Sequence, residues 1–346
     1  MDTVAARRRW TRGQWLWGLS GLVTILALGI PGARLITGAG SSADGPSPIT
    51  AVPSRPIVIT QPVTSVRVES YGAQIQVTAG AVQGARAVTT ITYFAPDAGP
   101  PVVTAKVSRG VLTLAAPACR VSNCSVGFQV TVPADATVTA TSDGGPIIVS
   151  GLAGADLDSG GGQVRATGIR GPLTVSTDGG FLAAYDIGGP LRADTGGGPL
   201  LARRVTAATA TLVTEGGAAD VQFTAAQDAV TVSTGGGEAR IRFTAPPQLV
   251  TVTTDGGAAL LAVPGGPYAV TAESDGGPQA IDIATDPAAH RSLAVTSGGG
   301  PLEIDPATGR TPPRLSSIPT DRIVPPLPPL PPVPAQLASP RALPGH

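Results

Sequence analysis

The sequence predicts an all-β fold: a parallel β-solenoid of nine rungs of about 20 residues, closed by a β cap and preceded by one N-terminal transmembrane helix. Three observations predict it. A four-residue word, Ser/Thr-x-Gly-Gly, starts at Ser142, Ser159, Thr177, Thr195, Thr214, Thr234, Thr254, Ser274 and Ser297, at spacings of 17, 18, 18, 19, 20, 20, 20 and 23. Apolar residues flank every word at alternate positions. A long uncharged segment stands near the N-terminus, behind a cluster of arginines.

The first elements concern the membrane. Residues 1–13 hold Arg7, Arg8, Arg9 and Arg12 and read as a short basic cytoplasmic segment. Residues 14–36 are free of charge as far as Arg34, long enough as a helix to cross a hydrocarbon core, and read as a signal-anchor. The arginines orient it with the bulk of the chain outside the cell, and Trp10, Trp15 and Trp17 suit the interface. A cleaved signal peptide, giving a secreted protein, is the competing reading. Residues 37–56, rich in Gly, Ser and Pro, read as a linker.

Residues 57–135 read as an N-terminal β cap. Ser65–Val77 repeats the strand, small-residue turn and strand of the later units in degenerate form, and further strands are expected at Ala87–Tyr93, Val102–Val107, Val111–Leu114 and Phe128–Val132. Residues 136–304 carry the regular repeats. Before each word lie apolar pairs such as Val138/Ala140 and Val250/Val252, and after it pairs such as Ile147/Val149 and Ala259/Leu261, with polar residues between. That period of two marks half-buried strands. Only Gln279 breaks the inward set. Two short strands cannot bury their own apolar faces, so successive units must stack. A β-sandwich or a propeller built of hairpins is the alternative, although propeller blades need about twice this period.

The corner glycines are the candidate structural site. They are Gly144 and Gly145, Gly161 and Gly162, Gly179 and Gly180, Gly197 and Gly198, Gly216 and Gly217, Gly236 and Gly237, Gly256 and Gly257, Gly276 and Gly277, and Gly299 and Gly300. Positive φ and close passage of backbones are the two reasons for glycine there.

An N-terminal anchor, a cysteine pair, the strand Phe128-Gln-Val-Thr-Val-Pro133 and serial Ser/Thr-x-Gly-Gly units together resemble the bacterial putative-adhesin family of extracytoplasmic β-strand-repeat proteins, over roughly residues 64 to 304. The resemblance implies architecture and a surface location. It implies no catalytic residue.

Composition narrows the chemistry. Charged residues are 13% of the chain and the formal net charge is zero, so the basic footprint of a nucleic-acid binder is missing. His290 and His346 are the only histidines, too few for a multi-histidine metal site, and a Ser-His-Asp triad would depend on His290. No cofactor is expected. Cys119 and Cys124 stand five apart outside the membrane, where a local disulfide is the simplest reading. The corner acids Asp143, Asp178, Glu215, Asp255 and Asp275 suggest either a calcium-gathering edge or ordinary turn residues, the second being the simpler. Thr139/Thr141, Thr174/Ser176, Thr231/Ser233 and Thr251/Thr253 predict a flat hydroxyl face, resembling ice-binding surfaces but equally an ordinary solvated strand face. Asp156, Asp158 and Asp194 are the carboxylates from which a surface glycosidase would have to be built.

Residues 305–346 read as a Pro-rich disordered tail, with Pro325-Pro-Leu-Pro-Pro-Leu-Pro-Pro-Val-Pro334 at its centre. The expected function is a non-catalytic, single-pass surface protein: an adhesin or an envelope-binding rod, with a surface glycan, a protein or a second copy as partner. The alternatives are an envelope sensor or accessory subunit acting through a membrane partner, and a glycan-active enzyme.

Overall fold

Why the repeats pair as they do follows from their inward residues, which are small, branched and aligned. The structure, a computed structural model, describes residues 50–52, 56–93, 101–116 and 124–307. They belong to the second of the chain's two units, Pro46–His346. The basic segment 1–13, the signal-anchor 14–36 and the tail beyond residue 307 lie outside the described residues. No helix among those described is long and apolar enough to cross a membrane.

Eight strands precede the repeats: β1 (Thr50–Val52), β2 (Ile57–Ile59), β3 (Ser65–Tyr71), β4 (Ile75–Ala79), β5 (Ala85–Tyr93), β6 (Thr104–Ser108), β7 (Val111–Ala115) and β8 (Cys124–Val132). Strand β1 falls inside the stretch expected to be linker. Each repeat then adds a strand before its corner and one after it. The first four are β9 (Thr137–Asp143) with β10 (Ile147–Ser150), β11 (Gly154–Ser159) with β12 (Val164–Ile169), β13 (Leu173–Thr177) with β14 (Leu182–Ile187), and β15 (Leu191–Asp194) with β16 (Leu200–Val205). The next three are β17 (Thr209–Thr214) with β18 (Ala219–Phe223), β19 (Ala229–Thr234) with β20 (Ala239–Phe243), and β21 (Leu249–Thr254) with β22 (Ala259–Val263). The eighth is β23 (Ala269–Ser274) with β24 (Gln279–Ile281), and the ninth β25 (Ser292–Ser297) with β26 (Leu302–Pro306).

Strands before a corner lie in a 12-stranded sheet and strands after it in a 14-stranded sheet, counted among the described residues. Through the repeats every pairing is parallel, and equivalent residues face each other: Val230 lies beside Val250, Val232 beside Val252, and Ala239 beside Ala259. Register is fixed this firmly because a shift of one residue would turn every inward side chain to solvent. The core is the layer between the sheets, and its members such as Leu157, Leu212, Ile241 and Val252 are almost wholly buried. Phe223 and Phe243 stack within it on neighbouring repeats, ring centroids 5.0 Å apart.

The spatial order departs from chain order at both ends. Strands β3 and β4 lie directly beside the first repeat, and β7 and β8 stack in parallel on their far side. Outside them, β5 pairs antiparallel with β8 and β6 antiparallel with β7, and β1 and β2 pair antiparallel with β5. At the other end, β25 sits between β21 and β23, and β26 between β22 and β24. The ninth repeat in sequence is therefore inserted beneath the eighth. Backbone bonds at the corners follow the same order, since the Gly298 N–H donates to Thr254 O at 2.7 Å and the Asp275 N–H donates to Ser297 O at 2.8 Å.

Candidate binding surfaces and the glycine corners

The corners set the geometry of both faces. The Ser or Thr that opens each word continues the inward alternation of its strand, and Ser142, Ser159, Thr177, Thr195, Thr214, Thr234, Thr254 and Ser297 are buried. A buried hydroxyl needs a partner, and the turn provides one. Thr195 donates to the carbonyl of Gly198, the second glycine of its word, at 2.5 Å, and the Gly198 N–H donates back to Thr195 O at 3.0 Å. Thr234, Thr254 and Ser297 likewise donate to the carbonyls of Gly237, Gly257 and Gly300, each at 2.6 Å. Thr214 does the same to Gly217, and at Thr177 the hydroxyl also accepts the Gly180 N–H at 2.6 Å. Ser142 is the exception, its Oγ having no partner among the described residues.

The two glycines of each word serve different ends. A Cβ on the second would collide with backbone of the neighbouring layer: Gly162 would meet Gly145 O, Gly198 would meet Gly180 O, Gly237 would meet Gly217 O, Gly300 would meet the carbonyl of Gly257, and Gly277 that of Gly300. A Cβ on the first meets almost nothing, as at Gly161, Gly179, Gly197 or Gly236. Positive φ, expected as one general reason for glycine, is confined among these eighteen to Gly144, Gly276 and Gly299. Close approach is thus the commoner constraint, and at Gly198 it is the whole of it, because the φ there is not positive.

The second residue of the word alternates along the stack. In spatial order it reads Asp143, Gly160, Asp178, Gly196, Glu215, Gly235, Asp255, Gly298, Asp275. A Cβ on Gly196 would lie 2.6 Å from Asp178 O, and those on Gly235 and Gly298 would strike the Glu215 and Asp255 carbonyls, whereas one on Gly160 would make only ordinary contact, 3.5 Å from Asp143 Oδ1. From Asp178 onward side chains therefore fit on alternate layers only. The five acids are exposed and stand two strand spacings apart, about 9.6 Å. Calcium–oxygen bonds are about 2.3–2.6 Å, so two of these carboxylates would share an ion only by leaning toward each other across the intervening glycine layer.

The outer face of the 12-stranded sheet carries the hydroxyl array. Thr211, Thr231 and Thr251 are adjacent in one column, and Val213, Ser233, Thr253 and Thr296 in the next. Arg192 and Asp194 separate this run from Thr174 and Ser176. Asp158 and Asp194 share a column with Ser176 between them, two spacings apart, while Asp156 is two residues from Asp158 on the same strand. All three acids are exposed on a sheet face.

The outer face of the 14-stranded sheet carries cations, which the sequence reading did not single out. Arg165 lies over the Tyr185 ring, 5.3 Å from its centroid, with the Arg204 guanidinium 5.9 Å away. Asp186 and Arg204 both have left-handed backbone, φ 57° and 54°, at equivalent points of neighbouring strands, which places their side chains together in a pair of 2.5 and 2.7 Å bonds. That hydrogen bond holds the Asp186 carboxyl below its usual range. Arg203 pairs with Asp220, and Arg240 with Glu238 at 2.8 Å. Arg242 stands near Arg203, Arg240 and Asp220; partial burial pulls its guanidinium below the ordinary value, Asp220 opposes this, and the two arginines reinforce it. The signal available in the sequence was arginine at outward positions of successive strands.

Cys124 opens β8 and is half-buried; Cys119 lies outside the described residues. Among the described residues no group of three or more His, Cys, Asp or Glu could hold a metal ion.

No family model matches the chain, and no curated protein is significantly similar to it. Solved structures are. A putative adhesin from Bacteroides fragilis NCTC 9343 is 12% identical, with a TM-score of 0.42 over 74% of this chain and 97% of that one. A putative adhesin from Parabacteroides distasonis ATCC 8503 is also 12% identical, with a TM-score of 0.39 over 73% and 97%. A putative cell adhesion protein from Clostridium sporogenes ATCC 15579 is 10% identical, with a TM-score of 0.23 over 75% and 100%. The solved structures to which this chain is similar thus bear the description of the family its sequence resembles, and at these identities and TM-scores the likeness lends no weight to a shared function.

Proposed function

We propose that the protein is a non-catalytic, membrane-anchored surface protein whose stacked repeats form a β-solenoid rod that binds an anionic polymer of the cell envelope. The carrying observation is the arginine face: Arg165, Arg203, Arg204, Arg240 and Arg242 gather on one sheet with three acids, Asp186, Asp220 and Glu238, against them. Guanidinium groups suit carboxylates and phosphates because their donors form a planar fork. A repeating scaffold suits a repeating ligand, since each layer offers the same spacing to successive units.

The solenoid reading is supported by the alternation of sheets along the chain and by parallel register from β9 to β22. The anchor rests on residues 14–36 and the arginines before them. A Cys119–Cys124 disulfide would tie the loop before β8 in an oxidising compartment. The acids Asp156, Asp158 and Asp194 stand open on a sheet face, and the reading assigns them to solvent.

The test is binding of the protein to isolated wall polysaccharides, anionic and neutral, and to matrix proteins. Saturable binding to the anionic class, weakened by salt and without turnover, is expected. Replacing Arg240 and Arg242 together by alanine should weaken it at least about ten-fold, the effect of losing one or two charge-assisted contacts. Equal binding by that variant, or hydrolysis of the polymer, would sink the reading.

A further inference from the structure

The stack ends unfinished at β23 and β24. Strand β23 pairs with β25 and β24 with β26 on one side each; on the other side Tyr268, just before β23, bridges Thr285 and Gln279 donates to Ala272 O, and the rest of each edge has no strand partner among the described residues. Ala269 and Asp275 donate their N–H groups toward β25 and its connector, at 2.8 Å each. By the two-residue alternation of a strand, the N–H groups of Val270 and Ala272 face the open edge. The inward side chains of this layer, Val270, Ala272, Ile281 and Ile283, are only half-buried, whereas their counterparts in inner layers are fully buried. An unpaired parallel edge with apolar residues behind it is a template for another strand.

The end is also acidic. Between Ala269 and Arg291 stand Glu273, Asp275, Asp282 and Asp286 against the single Arg291, with the four acids exposed. A second copy presenting the same end would meet like charge. The chain itself offers the opposite. Strand β26, next to β24, ends at Pro306, and the Ala307 N–H donates to Val263 O at 2.9 Å, so the remaining chain departs one layer below the open edge. Those residues, 308–346, carry Arg310, Arg314, Arg322 and Arg341 against Asp321. They include two windows without proline, Arg314-Leu-Ser-Ser-Ile318 and Thr320-Asp-Arg-Ile-Val324, each five residues long and each bounded by proline. Five residues is the length of β13, β18, β20 and β22. A strand bounded by proline can pair on its inner side and cannot be extended, which is how edges are closed against aggregation.

We propose that the segment 310–324 of this same chain docks on the open end of the stack, pairs with the β23 or β24 edge, and seals it against other copies. The tail is then a plug for the sheet end as well as a spacer.

The test compares amide hydrogen exchange in the full chain, held in detergent, with the same chain ending at Ala307. In the full chain the Val270 and Ala272 amides are expected to be protected, and the truncated chain to exchange them at least about ten times faster, as a freed edge does. A synthetic peptide of residues 308–326 should restore protection, and less so in high salt. The double replacement Glu273→Lys and Asp282→Lys in the full chain should release the segment as truncation does, without unfolding β25. Light scattering gives the second readout: the truncated chain is expected to self-associate through its bared edge. Equal exchange at Val270 and Ala272 in the two chains overturns the proposal. So does association of the full chain that truncation leaves unchanged, which would make a second copy the occupant.

Discussion

The second glycine of each corner is demanded by the backbone of the neighbouring layer. Gly237→Ala drives a methyl group into Gly217 O, a backbone atom that cannot move without shifting the next layer. Thermal or urea unfolding should show a loss of about 2–4 kcal/mol, the range of severe backbone and overpacking defects. Gly236→Ala has open space and no positive φ, and should stay within about 0.5 kcal/mol of the parent or gain slightly from a less flexible unfolded chain. Equal losses at both positions would refute the division of labour. The buried hydroxyl makes a second claim. Thr254→Val keeps the shape but strands the bond to Gly257 O, and should cost about 1–2 kcal/mol, with Thr254→Ser recovering most of it. Ser142→Ala, which removes an oxygen that has no partner, should cost less than Thr254→Val. The glycine pairs were legible from the sequence because they recur. Which glycine is crowded was not, since contact between layers depends on a stacking distance that one repeat does not express. The hydroxyl was legible in principle: positions 138, 140 and 142 keep the same parity, so Ser142 belonged to the inward set with Val138 and Ala140.

At the scale of whole strands, the exchanged order of the last two repeats explains three irregularities together. The final spacing of 23 residues is long because Ala284–Arg291 must carry the chain back beneath β23 before β25 can begin. Gln279 breaks the apolar set because its layer is outermost, and its amide donates to Ala272 O at 3.3 Å across the open end. The corner series of acid and glycine is broken in chain order and unbroken in spatial order. Each clue stood in the sequence, yet the assumption that consecutive repeats are neighbours hid their common cause. The exchange is open to a direct check by cross-linking. Thr253 and Thr296 are direct neighbours on β21 and β25, one strand spacing of about 4.8 Å apart, so a pair of cysteines there lies within the Cα separation of about 4.4–6.8 Å that a disulfide accepts. Oxidation should join them. Cysteines at Thr253 and Glu273, which chain-order stacking would bring side by side, are held two strand spacings apart, about 9.6 Å, and should remain reduced. The opposite pattern would restore the chain-order stack.

Over the molecule as a whole, each inner repeat is held by its two neighbours, the pattern of a stack whose stability accrues layer by layer. The corner acids test that view, because they are the one feature that a calcium-stabilised stack would share. Crowding excludes a side chain at Gly196, Gly235 and Gly298, and with Gly160 at the remaining alternate corner Asp143, Asp178, Glu215, Asp255 and Asp275 are spread along the edge and not gathered. Carboxylates about 9.6 Å apart repel weakly through water and at physiological ionic strength lie beyond one Debye length of about 8 Å. Neutralising them should therefore bring little. The melting temperature in millimolar calcium and in excess chelator is expected to agree within about 1 °C, which in a domain of this size corresponds to about half a kcal/mol or less. Replacing Asp178 and Glu215 together by asparagine and glutamine should likewise leave it unchanged. A rise of several degrees with calcium, abolished by that double replacement, would mean that the edge gathers ions after all, and that the alternation of acid and glycine serves a ligand as well as the packing of one corner on the next.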